Sequence, residues 1–178
     1  VLWISTQNGL SRFDPGSKTF HNYYAEHGLQ SNQMTRSAIT SDGQIFVGGP
    51  KGMNAFYPEQ IKNNPTVPPV VLTGFELFNE PVVIGEKGSP LTSAINVISE
   101  LVLSYAQSVF SFEFAALNYS VSEMNQYAYK LEGFDEDWRY TGSSRRFATY
   151  TNLDPGEYTF RVKASNNDGI WNEAGLSL

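Results

Sequence analysis

Cysteine is absent from the 178-residue sequence, which excludes disulfides, thiolate metal sites and a cysteine nucleophile. The compartment stays open, because many bacterial extracytoplasmic proteins also lack cysteine. Basic residues are scarce: twelve Lys plus Arg against eighteen Asp plus Glu give a net charge of −6. No positive field exists to hold phosphates, and nucleic acid is not an expected partner. Long apolar runs are missing too. The most apolar region, residues 95–117, is interrupted by Asn96, Glu100, Ser104, Gln107 and Glu113 and does not read as a membrane span. What is present is a 40% hydrophobic, 14% aromatic chain with a mean hydropathy of −0.32, enough to bury a core and too apolar for disorder. It opens on Val1 with no initiator Met and no leader, so a piece of a longer protein is expected.

An internal repeat organises the first third. Leu2-Trp3-Ile4 with Gly9, Leu10, Phe13 and Pro15 recurs as Ile45-Phe46-Val47 with Gly52, Met53, Phe56 and Pro58, at a constant offset of 43 residues. A period of about 40 to 45 residues, holding short strands and Gly turns, is that of a four-stranded β-propeller blade. Strands are expected over residues 2–5, 10–13, 20–24, 37–40, 44–48 and 53–57. Asn8-Gly9 and Asp42-Gly43 are pairs that accept positive φ, so consecutive strands should form hairpins. Residues 1–62 then hold about one and a half blades, which should leave apolar surface uncovered. Residues 63–69, Asn-Asn-Pro-Thr-Val-Pro-Pro, read as a stiff, extended linker.

Residues 70–178 change to strand alternation without the repeat. Phe110, Phe112 and Phe114 alternate with Ser111 and Glu113; Tyr127, Tyr129 and Leu131 alternate with Ala128, Lys130 and Glu132. Tyr158, Phe160, Val162 and Ala164 point one way, Thr159, Arg161 and Lys163 the other. Pro155-Gly156 feeding Tyr158 has the form of a tyrosine corner, in which the phenol bonds back to upstream backbone at a sandwich edge. With Asn166-Asn167-Asp168-Gly169 as the next turn, the pattern is that of an immunoglobulin or fibronectin-type sandwich. Expected strands are 70–77, 101–103, 109–117, 127–132, 138–141, 148–151, 158–165 and a shortened last strand from Glu173, with one helical turn near residues 122–125. The fold class is all-β throughout.

Chemistry-bearing patterns are sparse. His21 and His27 are the only candidate bases, and neither lies in a nucleophile motif. Phosphate, zinc and dinucleotide fingerprints are absent. Asp135-Glu136-Asp137 could supply oxygens to Ca²⁺ but reads better as a solvated loop, and Asn166, Asp168 and Gly169 fail the EF-hand spacing. Asn118-Tyr119-Ser120 is a glycosylation sequon of little weight. No catalytic residue, metal ligand or cofactor is assigned. Most aromatics are spaced as core; Phe20, Tyr23, Tyr24, Tyr140 and Phe147 are freer to meet a ligand or partner, sugar stacking being one use.

The residues from Leu2-Trp3-Ile4-Ser5-Thr6 through Asn8-Gly9-Leu10-Ser11-Arg12-Phe13 resemble the two-component regulator propeller repeat of bacterial sensor proteins. The second copy, from Asp42-Gly43 to Pro58, carries Gly48-Gly49-Pro50 where that family has Gly-Thr. From Pro69 onward the chain resembles the Y_Y_Y module: Tyr127 to Asp135 with Tyr129 and Gly133, then Trp138, Tyr150 to Leu153, Pro155-Gly156, Tyr158, and Asn166 to Trp171. Gly9 and Gly52 of the repeats, with Tyr129, Gly133, Trp138, Pro155, Gly156, Tyr158 and Trp171 of the module, are the structural signature residues. The resemblance implies the periplasmic part of a membrane-bound sensor, non-catalytic in itself, ahead of a histidine kinase or diguanylate cyclase. It also implies a homodimer, an oligosaccharide or other small ligand held by the complete propeller, and a membrane attachment through segments outside this chain. The rival readings are a carbohydrate-binding or adhesive module without signalling, and a fragment of a propeller enzyme such as a polysaccharide lyase.

Overall fold

A computed structural model describes residues 1–178. The chain forms two compact units, Val1–Asn63 and Asn64–Leu178. Both are built from antiparallel strands, and no helix is long and apolar enough to cross a membrane.

The first unit holds two three-stranded sheets with strands in sequence order. β1 (Leu2–Thr6), β2 (Gly9–Asp14) and β3 (Thr19–Tyr23) make one, and β4 (Arg36–Ile39), β5 (Ile45–Gly49) and β6 (Gly52–Phe56) the other. Leu10, Met34, Ile45 and Val47 are buried between them, with Trp3, Tyr23, Leu29 and Phe56 packed around. The turns correct one detail: of each turn pair, only the glycine takes positive φ, Gly9 at 96° and Gly43 at 88°. In the first hairpin the loop is Gln7-Asn8 and Gly9 already pairs with Thr6 as the opening residue of β2; in the second the loop is longer, and the Gly43 N–H donates to the Thr40 carbonyl at 3.0 Å. Gly9 also has no room for a side chain, since an added Cβ would strike the Tyr23 carbonyl.

The second unit is a sandwich of two four-stranded sheets. One sheet is built on β7 (Val70–Leu77), with β8 (Glu80–Pro81) on its edge and β9 (Val109–Ala116) beside it. The other contains β10 (Gln126–Glu132), β11 (Arg139–Gly142), β13 (Thr159–Ser165) and β14 (Trp171–Ser177), while β12 (Phe147–Thr151) pairs with β9. The alternation positions the core as expected: Phe110, Phe112 and Phe114 from β9 meet Tyr127, Leu131, Phe160 and Val162 from the facing sheet. Phe112 and Phe160 stack at 4.5 Å, the contact that closes the two layers on each other.

Two expected elements differ. Residues 101–103 form no strand; Leu101 and Leu103 pack on the core from an irregular connection, so their alternation reflects packing without a backbone partner. The last strand is not a stub from Glu173 but runs seven residues from Trp171. Its register shifts between Val162 and Ala164, with Gly175 at φ 58°, so a bulge carries the ladder past the polar Asn172-Glu173 pair. One hairpin was not legible: β7 and β8 are joined by Phe78 and Asn79, both left-handed at φ 52° and 65°. The expected helical turn is a 3-10 turn, Ser122–Met124.

Candidate functional site

The proposed contact residues fall on separate surfaces. In the first unit, period-two alternation places Trp3, His21 and Tyr23 on the inner face of their sheet, with Trp3 opposite Arg12 and Arg12 opposite His21. Tyr23 stacks on Trp3 at 5.5 Å, touches His21 at 4.7 Å and meets the edge of His27 at 5.8 Å. Trp3 also abuts Phe56 at 4.9 Å. Phe20 lies on the opposite face, exposed beside Phe13 at 4.6 Å. Tyr24 leads into the 3-10 turn Ala25–His27, its N–H donating to His27 Nδ1 at 3.0 Å. Neutral His27 therefore carries its proton on Nε2. Both imidazoles are thus built into an aromatic row around Tyr23.

On the sandwich, Tyr140 and Phe147 belong to different sheets. Tyr140 is exposed and meets the edge of Trp171 at 6.0 Å. Trp138 precedes β11 and lies beneath Lys163 at 4.8 Å and Lys130 at 5.4 Å. Lys163 Nζ also sits 5.5 Å from the Trp171 ring and 2.7 Å from Glu173 Oε2. Lys130 and Arg161 share Glu132, each at 3.0 Å, and these donors hold its carboxyl below the usual range. Ala128 points to this outer face, in register with Tyr140 and Lys163, yet is buried, because the cation-aromatic layer covers it. The sequence pattern points to the tryptophans and to the outward side for Lys163, but carries no signal that the lysines cover the indoles. Phe147 contacts Arg145 at 5.4 Å on the other sheet.

The signature residues have local structural reasons. The Tyr158 hydroxyl donates to the Asp154 carbonyl at 2.9 Å, which is the tyrosine-corner bond, and Gly156 lies against its ring. Gly133, at φ 93°, leaves room for the same ring: an added Cβ would sit 3.1 Å from it. Tyr129 packs on Phe114 at 5.7 Å, whereas Gly52, at φ 130°, closes the β5–β6 hairpin in open space. Tyr158 also walls an open groove of about 1030 Å³ whose lining includes Leu101, Leu103, Phe112, Leu131 and Phe160. The acidic run is not simply solvated. The Asp135 carboxylate is buried; its Oδ2 accepts from the Leu131 N–H and the Tyr150 hydroxyl, both at 2.9 Å, and its Oδ1 meets Arg139 at 2.5 Å. Burial first, and then this carboxylate, push the Tyr150 phenol well above its ordinary range. The sequon asparagine, Asn118, is buried, and its amide donates to Asn125 and Asn167 at 2.8 and 3.2 Å.

Comparison with known proteins adds to this geometry. A family model described as Y_Y_Y domain matches residues 118–178. Histidine kinase P4 of Formosa agariphila is 37% identical over 174 residues, 97% of this chain and 13% of that protein. The extracellular domain of BT3049 from B. thetaiotaomicron, assigned to a hybrid two component system, superposes with a TM-score of 0.80 at 27% identity. That match covers 99% of this chain and 24% of the other. Two structures of the extracellular domain of BT4673 from the same organism, assigned to a one component or hybrid two component system, match at TM-scores of 0.56 and 0.55 with 25% and 26% identity. They cover 99% of this chain and 22% and 23% of theirs. The chain thus spans a small fraction of each relative.

Proposed function

We propose that this chain is a non-catalytic, periplasmic sensory segment of a membrane-bound bacterial signalling protein, relaying ligand occupancy to a cytoplasmic histidine kinase or diguanylate cyclase. The observation that carries the reading is the whole-chain likeness, at a TM-score of 0.80, to an extracellular domain assigned to a hybrid two component system. The Y_Y_Y match and the histidine kinase relative support it independently.

The front unit is read as propeller blades, and the repeat supports this residue by residue. Ile45 and Val47 are 8% and 0% exposed, while Leu2 and Ile4, one period of 43 residues earlier, are 55% and 41% exposed. Leu10 is 2% exposed and its equivalent Met53 64%. Each repeat thus buries only the face turned to its neighbour, as expected of blades from a larger ring. The following unit is read as an immunoglobulin- or fibronectin-like body that dimerises, and an oligosaccharide or similar small ligand is assigned to the complete ring. Phe20, Tyr23, Tyr24, Tyr140 and Phe147 remain the proposed contacts. A ligand moves such a sensor only by binding one arrangement more tightly than the other.

The test uses the intact natural protein in membrane vesicles with a panel of oligosaccharides. Kinase or cyclase output that changes with one sugar class, without sugar turnover, is the expected result. Cleavage of the sugar, or binding with no output domain encoded in the gene, would replace this reading with the enzyme or the adhesive module respectively.

A further inference from the structure

The segment 64–69 carries three prolines, which have no N–H to place in a sheet ladder. Its carbonyls are nevertheless occupied. Asn166 Nδ2 donates to the carbonyls of both Asn64 and Thr66 at 2.8 Å, and Asn172 Nδ2 donates to that of Pro68 at 2.9 Å. The Leu117 N–H takes the Pro69 carbonyl at 2.8 Å. Residues 64, 66 and 68 are alternate positions, so one edge of an extended strap is read by side-chain amides standing where a neighbouring strand would be. Asn166 is fully buried, and its Oδ1 accepts from the N–H groups of Asp168 and Ile170 at 2.9 and 3.0 Å. Its two donors are therefore committed to the strap and its acceptor to its own hairpin turn.

Asn64 fixes the start of the strap from its other groups. Its backbone N–H donates to Asp168 Oδ2, and its Nδ2 donates to Asn118 Oδ1 and Asn167 Oδ1 at 3.0 and 3.1 Å. Asn118 is in turn held by Asn125.

We propose that residues 64–69 are a latch rather than a spacer. The amides of Asn166 and Asn172 hold the strap in one register, so a displacement of the chain arriving at Asn64 is delivered to turn 166–169 and to β14. The use of the latch in signalling rests on the sensory reading above; its existence does not. Amide pairing sets the register more sharply than apolar packing, because sliding the strap by one residue turns alternate carbonyls away from both donors and leaves buried amides unpaired.

Hydrogen–deuterium exchange on the purified 178-residue chain tests this without ligand or output. In the unaltered chain the amides that report the strap are those of Asn64, which donates to Asp168 Oδ2, and Leu117, which donates to the Pro69 carbonyl, and both are expected to exchange at least tenfold slower than in free peptides of residues 62–70 and 113–121. Asn166→Ala is expected to raise exchange in the strap at least tenfold while peptides from β9 and β13 stay protected. Asn172→Ala, which touches only Pro68 and its own bulge, is the second variant should Asn166→Ala unfold the unit, and is expected to loosen the strap severalfold. Free-peptide exchange in the unaltered chain, or unchanged strap protection in Asn172→Ala, would overturn the latch. Either outcome would leave the sensory reading standing, since vesicle output is measured separately.

Discussion

Tyr150→Phe removes one hydroxyl and leaves the ring among Phe110, Phe134 and Phe160. In the native unit that hydroxyl donates to Asp135 at 2.9 Å and its ionisation is pushed well above the ordinary range. At neutral pH the loss of a bond to a charged acceptor costs about 1.5–3 kcal/mol. The pH dependence is more diagnostic. The unfolded tyrosine ionises near 10, while the folded one keeps its proton, so above about pH 10 the unfolded state binds fewer protons and stability falls with a slope of about 1.4 kcal/mol per pH unit. The contribution is complete below the unfolded value and is lost as pH rises toward the folded one. By pH 11 the native chain should have lost about 1.4 kcal/mol through this group alone, or about 0.7 M in urea midpoint at an m-value of about 2 kcal/mol/M. Tyr150→Phe lacks this loss, so the two midpoint curves should converge between pH 9.5 and 11. Parallel curves would refute the assignment of that phenol to the buried carboxylate.

Three further outcomes can be checked in the same way. Asp135→Ala should destabilise the sandwich unit by about 2–5 kcal/mol, because the Leu131 N–H and the Tyr150 hydroxyl lose their acceptor, while the Arg139 ion pair adds at most about 1; a urea midpoint reads this, and a change under 1 kcal/mol would show the carboxylate is dispensable. Phe78→Gly should raise stability by about 0.5–1 kcal/mol, since relief of a left-handed aromatic residue outweighs the entropy of the new glycine; a lower midpoint would mean the Phe78 ring packs more than its half-exposed position indicates. Expressed in a eukaryotic secretory host, the chain should show no glycan mass at Asn118, and a glycoform in the intact mass would contradict its burial in the asparagine network.

Local pattern reached most of the fold. The Phe110, Phe112 and Phe114 alternation and that of Phe160, Val162 and Ala164 specify strands whose inward faces meet, and the Pro155-Gly156-Tyr158 spacing anticipates a bond between residues four apart. What escaped depends on partners far along the chain. Leu101 to Leu103 alternates as a strand does but has no neighbouring edge. Phe78 carries no turn signature, because the ladder on either side imposes its conformation. Asp135 looked solvated beside Glu136 and Asp137, since only the fold brings Tyr150 to it. Asn64 and Asn166 stand 102 residues apart, a pairing to which no local period points. Of the five proposed contact residues, Phe20, Tyr140 and Phe147 are exposed, whereas the stacking of Tyr23 on Trp3 needs two strands in register and has no local signal.

Lys163, held between two indoles and a carboxylate, gives the outer side of the sandwich a lid made from its own long side chains. Any molecule approaching flat against that side must first pull an ammonium away from Trp138, Trp171 and Glu173 together. The margin of that layer is more open, since the Tyr140 ring touches only the edge of Trp171 and is otherwise exposed.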